Sequence, residues 1–357
     1  REDLTDFLTI LAPEDTPKIS TFAKTKRMTN AYQEWQVDTL SPVSFGGVLE
    51  GQDVLAFSNQ AVNRARLGNY VQQFREQWMV SRLQEASDVA GVSSEVANAK
   101  MKAMREIKRD IEACIGSDND RQQEAPPSPY KLRALGKWIS NTPGSDVPAA
   151  FRTPTGNINT DATSTLSESA FNDVFQSIFQ QVGGRRSYTL FAGPSLKRAI
   201  SKFQRSEGSS GTTKTYQVTQ DASEHQIDLD VTMYVGDFHT VTIVPDLFNG
   251  ILDGGDPSST TDQQKARGYV IDPELVGIGY MLGIESNELP DLGGGRRGFI
   301  LAALTLMVKN PLGLGLRASQ RNASASGIVR SISYSPRSKR PPFGYCTAHH
   351  AFERIPG

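Results

Sequence analysis

The signatures of catalysis are missing from this chain. It has no phosphate-binding glycine loop, no paired Cys-x-x-Cys, no His-Glu-x-x-His and no Gly-x-Ser-x-Gly elbow, which removes the common sequence-level routes to nucleotide, zinc and acyl-transfer chemistry. Its 2 cysteines, Cys114 and Cys346, are too few for a disulfide scaffold, and no apolar run is long enough to cross a bilayer. A reduced, cytosolic site of synthesis and no membrane partner are the expectation. Lysine is absent between Lys26 and Lys100. Hydrophobic residues make up 38% of the 357, below the globular average, so much of the chain is expected to be arm, loop or interface.

The net charge of -1 hides an asymmetry. From Arg317 onward 7 basic residues face one acid, Glu353, while the rest of the chain is net acidic. In this tail Arg337, Lys339 and Arg340 alternate with Tyr334, Phe343 and Tyr345. That pattern suits phosphate contact with base stacking, a clamp on neighbouring subunits, or a disordered segment.

The candidate chemical groups are sparse. Gly293 to Arg297, GGGRR, reads as an anion-binding nest or, preferentially, as a flexible turn with exposed arginines. Cys346, His349 and His350 have metal-like spacing, but three donors in a basic tail make no closed site. His225 and His239 stand alone, as ordinary surface or core histidines do. Asp272, Glu274, Glu285, Glu288 and Asp291 show no spacing of an acid/base pair. No catalytic residue, metal or cofactor is assigned.

The periodicities give an outline. Residues 1–30, with Pro13 and Pro17, read as an arm with little regular structure. In AYQEWQVDTL, Tyr32, Glu34, Gln36 and Asp38 fall on one face of an extended chain, and Gln33, Trp35, Val37 and Thr39 on the other. Polar groups on both faces suit a strand lying over a neighbouring subunit better than one buried at home. A Gly-containing stretch, 41–63, then separates this strand from a returning limb with Leu67, Tyr70, Val71, Phe74, Trp78 and Met79, whose spacings fit a strand or a helix. Together they predict a long β-hairpin with a broad tip.

A helix is predicted over 93–115, about 35 Å long, with Ala97, Met101, Met104, Ile107, Ile111, Cys114 and Ile115 as its apolar stripe and Gly116 as its stop. Its other face, with Lys100, Lys102, Arg105, Lys108 and Arg109, is either a solvated face with local ion pairs or an inward basic face near nucleic acid. A second helix is predicted over 165–184, opened by a Thr165/Glu168 capping box. Strands follow near 188–192, 231–235, 241–244 and 269–271, with a short helix opened by Pro194. Gly298 to Lys309 reads as a long buried strand. Helices and strands interspersed in this way predict an α+β fold.

The opening REDLTDFLTILAPEDTPKIS, then EWQVDTL, EIKRDIE, LGKWISN and the closing LTLMVKNP, in that order, resemble the tailed-phage major head proteins of the HK97-type capsid fold, the SU10-like major head protein family. The resemblance covers about residues 1–316. It implies an N-arm (1–30), an extended β-hairpin E-loop (31–85), a peripheral domain with a long spine helix (86–145 and 290–316) and an axial domain (146–289). Residues 317–357 form a basic C-terminal extension outside it.

The resemblance also implies function. The chain is expected to be a non-enzymatic major capsid protein assembling as pentamers and hexamers into an icosahedral head around double-stranded DNA, in the virion after assembly in the host cytoplasm. Portal and cement or decoration proteins are the further candidate partners. Tyr32, Glu34, Trp35, Asp38, Arg64 and Arg66 are the expected inter-subunit contacts, Lys102, Arg105 and Arg109 the candidate DNA-facing residues, and Arg337, Lys339 and Arg340 the tail contacts. An encapsulin-like nanocompartment shell enclosing cargo enzymes is the alternative within this fold, and a soluble enzyme sited in 187–290 the alternative outside it. Some HK97-type shells close covalently through an E-loop lysine; the lysine-free stretch here implies none.

Overall fold

The computed structural model describes residues 12–317 apart from 26, 56, 58, 60–63, 88–90, 161–165, 208–213, 217–230 and 252–265. Its elements in chain order are α1 (Pro17–Thr21), β1 (Ala23–Lys24), β2 (Tyr32–Val37), β3 (Ala65–Tyr70), β4 (Gln72–Val80), α2 (Arg82–Ala86), α3 (Glu95–Ile115), α4 (Leu135–Trp138) and β5 (Ile158–Asn159). Then come α5 (Glu168–Val182), β6 (Arg186–Ala192), α6 (Pro194–Ser201), β7 (Arg205–Glu207), β8 (Lys214–Tyr216), β9 (Met233–Val235), β10 (His239–Pro245), β11 (Gly268–Ile271), β12 (Val276–Leu289), β13 (Arg296–Val308) and β14 (Gly315–Arg317).

The apolar run FILAALTLMV explains the first sheet. It lies in β13, paired antiparallel on one side with β12 and on the other with β4, in the order β1-β12-β13-β4. A strand flanked on both sides and covered by α3 excludes polar side chains, so its middle reads as a continuous hydrophobic segment. The returning limb left open by its spacing is therefore strand: β4 alternates, turning Phe74, Trp78 and Val80 inward.

Helix α3 starts where Ser94 accepts the Ala97 amide and ends at Gly116. The face it buries is shifted from the expected stripe. Val96, Ala103, Ile107, Ile111 and Ile115 pack inward, whereas Met101 and Met104 stay 44% and 39% exposed. The apolar sector of α3 is wider than the contact, and the sheet takes the part centred on the branched isoleucines. Periodicity alone does not orient that centre.

The second sheet has the order β5-β14-β11-β6-β10-β9. Strands β6 and β10 run parallel through a crossover that contains α6, and α5 covers one face with Phe171, Val174, Phe175 and Ile178. The cap of α5 is Ser167, which accepts the Ala170 amide, and the helix begins at Glu168, later than the Thr165 box predicts.

Strand β12 pairs with β13 along its length, so 276–289 lie in the first sheet, while β14 crosses to the second sheet beside β11. The apolar cores also meet. Phe22 and Phe191 lie edge to face at 5.8 Å, and Tyr269 donates its hydroxyl hydrogen to the Gly116 carbonyl at 2.7 Å.

The arm is more regular than its prolines suggest. Pro17 supplies the first residue of α1, and the next two amides, of Lys18 and Ile19, donate to the Glu112 carboxylate of α3 at 2.7 and 3.0 Å. A carboxylate from another helix thus satisfies the free N–H groups that open α1. Lys18 itself is fully buried between Glu112 and Asp246. Residues 93 positions apart leave no local pattern, which is why this anchor is invisible in the sequence.

Candidate functional site

Strands β2 and β3 pair antiparallel from Tyr32 opposite Tyr70 to Val37 opposite Ala65. The hairpin base is locked to the chain's own lobe. Asn69, fully buried, donates to the carbonyls of Arg133 and Leu306 at 3.1 and 2.8 Å and accepts from the amides of Arg133 and Tyr70 at 2.7 and 3.0 Å. All four of its hydrogen-bonding positions are used, so the register is fixed there. Gly68 is needed beside it, because a Cβ would lie 2.3 Å from the Tyr32 hydroxyl oxygen.

Beyond that base the described residues of 38–64 contain no helix or strand. The loop is closed by Asp38 and Arg64 at 3.3 Å, an exposed pair of small energetic weight. A turn forms where the Gln52 amide donates to the Leu49 carbonyl at 3.1 Å, followed through Gly51 at φ 76°. Leu40, Val43, Phe45, Val48, Leu49, Val54, Leu55 and Phe57 all project from this loop, at exposures from 68 to 98%.

That is the most informative surface of the described chain. Single exposed apolar residues are ordinary, but eight on one projecting loop constitute a patch that a folded protein normally covers. The loop thus carries ample apolar surface. The missed signal is the recurrence of Val, Leu and Phe among the glycines of 41–57. It lacks helical or strand periodicity, so no pattern search registers it.

The other expected contact residues separate. Glu34 and Arg66 are exposed on the hairpin. The Tyr32 ring lies tilted against Tyr70, centroids 4.6 Å apart, and the Arg121 guanidinium donates to its hydroxyl oxygen. Trp35 is a correction: it is 8% exposed and lies 5.7 Å from Trp138, inside the chain's own core. The two-faced polarity of AYQEWQVDTL conceals one inward anchor, since a single large indole suffices to bind an otherwise solvated strand to its lobe.

On α3, Lys102 is exposed and 4.0 Å from Glu106. Arg105 holds Glu14 of the arm at 2.8 Å, and Arg109 lies over the Phe248 ring at 6.0 Å. Arg337, Lys339 and Arg340, like Cys346, His349, His350 and His225, lie outside the described residues. His239 is a core histidine, stacked on Phe175 at 3.7 Å; burial, with the Arg185 charge adding to it, takes its pKa down to about 4.

The GGGRR turn holds an anion supplied by its own chain. Asp291 accepts from the amides of Gly293 and Gly295 at 2.7 and 3.1 Å and from Arg82 at 2.6 Å. The Arg82 hydrogen bond, then those amides, pull its pKa down to about 2. Gly295, at φ 122°, closes against the Val80 carbonyl, where a Cβ would come within 2.2 Å. This is a built turn rather than a loose one. Around it Arg296 pairs with Glu85 and Glu288, and Lys100 with Glu288, while Met79, Leu83 and Leu292 remain exposed.

The arrangement offers contact surfaces. Among the described residues no group of three or more His, Cys, Asp or Glu is placed to hold a metal, and no helix is long and apolar enough to cross a membrane.

The sequence model of the SU10 major capsid protein family matches residues 1–318. Similar solved structures include the capsid of a native GTA particle (9% identity, TM-score 0.57, 90% of this chain and 95% of that one). A Mycobacterium phage Bobi structure is 11% identical, with TM-score 0.55 over 90% and 96% of the two chains. The asymmetric unit of the bacteriophage PhiM1 mature capsid is 12% identical, with TM-score 0.53 over 90% and 91%. At such identities these likenesses speak to fold alone, and the fold is the α+β, HK97-type capsid fold. No curated protein sequence matches the chain.

Proposed function

This chain belongs to the SU10 major capsid protein family, and from that premise we propose that its copies close, as pentamers and hexamers, into an icosahedral head around double-stranded DNA. The observation that carries the reading is the projecting loop with its eight exposed apolar side chains. Their natural cover is a neighbouring copy, since identical copies are the one partner always present in a growing shell. Burial of each such side chain is worth roughly 1.5–3 kcal/mol, so repeated contacts around a shell stabilise it strongly. Glu34 and Arg66 on the hairpin and the Asp38–Arg64 pair at its neck would then sit at the rim of that contact.

Lys102 is the freest of the three candidate DNA-facing residues, because Arg105 and Arg109 have partners within the chain. The tail residues Arg337, Lys339 and Arg340 remain a proposed contact to DNA or to neighbouring subunits. Portal and decoration proteins complete the proposed set of partners. Assembly is placed in the host cytoplasm and the product in the virion.

Purified chain examined by negative-stain electron microscopy is expected to form closed shells, and shells from infected cells to contain nuclease-protected DNA. A chain that stays monomeric under all assembly conditions overturns the reading; shells holding a protein cargo and no DNA turn it into a nanocompartment. A second expectation concerns covalent closure. With no lysine between Lys26 and Lys100, boiled particles are expected to run as single subunits on denaturing gels. A ladder of linked subunits traced by mass spectrometry to residues 31–85 would refute this.

A further inference from the structure

Strand β10 opens on His239, and its alternation turns His239, Val241 and Ile243 toward the core that α5 covers. An imidazole thus takes the first place in a row otherwise filled by aliphatic side chains. It is 1% exposed and lies flat on the Phe175 ring of α5, with centroids 3.7 Å and planes 11° apart, and the Tyr234 ring of β9 is 5.7 Å away. The Gly236 backbone closes over it, too near to carry a side chain. Among the described residues neither Nδ1 nor Nε2 has a hydrogen-bond partner. A neutral imidazole has one N–H and one lone pair, whereas a protonated ring has two N–H groups and a charge to satisfy. This aromatic box therefore suits the neutral form alone.

We propose that His239 is an acid-operated pin: as a neutral ring it holds the β9–β10 corner shut over Phe175, and on taking up a proton it leaves the box and lets the corner open.

The corner is placed to respond. Strand β9 is the last of the second sheet and pairs with β10 through Met233, Tyr234 and Val235 alone. The turn between them is tied by the Gly236 amide, which donates to the His239 carbonyl at 2.9 Å, and by Arg185, which donates to the Gly236 carbonyl at 3.4 Å. On β10 no other side chain is ionisable. On β6, Arg186 stands opposite His239 and pairs with Asp272, and Tyr188 lies 5.7 Å from Phe175. On α5, Glu168 accepts from the Tyr234 hydroxyl and Asp173 is exposed. The Arg185 charge opposes a positive charge on the ring, and the exposed Asp237 favours one. A ring face attracts a cation, but it does not replace the water that two N–H groups lose on burial.

Burial first, then the Arg185 charge, take the ring from its ordinary 6.5 to about 4. A histidine lowered in this way contributes stability that is fully present above about pH 6.5 and is lost as pH falls through about 4. The proton comes from solvent and adds to the bare ring nitrogen, and no bond breaks. With the ring withdrawn, Phe175 loses its cover, close to Met233 and Val235, which are already 60 and 56% exposed. The contact of Phe179 with Phe238 of the same turn, 4.9 Å between centroids, loosens with it. Acid thus widens an apolar surface at this edge of the second sheet.

The test is hydrogen–deuterium exchange on the unassembled full-length chain at pH 7 and pH 4.5, corrected for intrinsic rates. Peptides covering 232–242 are expected to exchange roughly tenfold faster or more at the lower pH in the natural protein. His239→Phe, which keeps a flat ring against Phe175 and takes up no proton, is expected to lose that response. A response of equal size in His239→Phe overturns the proposal, because carboxylates would then be its source, as does a natural protein whose exchange in this segment does not change. A His239→Phe chain that fails to fold leaves His239→Gln to decide on the same two outcomes.

Discussion

Replacing Phe45, Leu55 and Phe57 together by serine is expected to leave the chain folded and to abolish shell formation. These side chains are 98, 90 and 89% exposed, so the fold of one copy gains almost nothing from them, and its thermal midpoint should move by no more than about a degree or two. Association is a different matter. At roughly 1.5–3 kcal/mol for each side chain buried, the triple change removes several kcal/mol from every loop contact, equivalent to a thousandfold or more in affinity. Sedimentation velocity should show free subunits or small oligomers where the natural protein forms particles. Particles at normal yield would show that the loop is not the assembly surface, and an early melt would show that it belongs to the fold.

Lys18→Met is expected to destabilise the chain by roughly 3–5 kcal/mol, the magnitude typical of removing one partner from a buried ion cluster. Lys18 and Glu112 are fully buried, and Asp246 nearly so. Without the ammonium, two carboxylates remain in the interior, and Glu112 also carries the opening amides of α1. Burial already raises the pKa of Glu112 while the Lys18 charge opposes the rise. Loss of that charge raises it further, so the variant binds a proton on folding and its stability falls as pH rises. Urea denaturation at pH 5 and pH 8 checks both magnitude and sign. The deficit should be larger at pH 8, and limited proteolysis should cut the arm near residues 17–24 sooner. Equal midpoints for variant and natural chain at both values would refute the buried-cluster account.

These two experiments separate an interaction surface from an internal anchor, and the sequence treats them unequally. The hairpin was readable, because alternation in residues 32–37 and the glycines after Pro42 are local signals. Its role was readable only through resemblance. The apolar content of the tip follows no period and so gives no local signal. Trp35 reads as outward-facing for a related reason: a strand polar on both faces looks foreign to its own lobe, and Trp138, which lies against it, is a hundred residues later. The turn at 291–295 reads as loose in sequence, since no local pattern announces that Asp291 and Arg82 fill it.

What the sequence determined by itself is whatever depends on neighbours along the chain. It set the long α3 with its stop at Gly116, the apolar β13, the hairpin, the missing catalytic motifs, the lysine-free loop and the order of blocks that marks the family. Only the tertiary structure decided which sector of α3 faces the sheet, that β12 joins β13, and that Lys18 is an interior cation. Each of these turns on contacts between residues tens to hundreds of positions apart. Local propensity and periodicity describe a segment's own geometry, but burial and charge pairing are properties of what the fold brings against it.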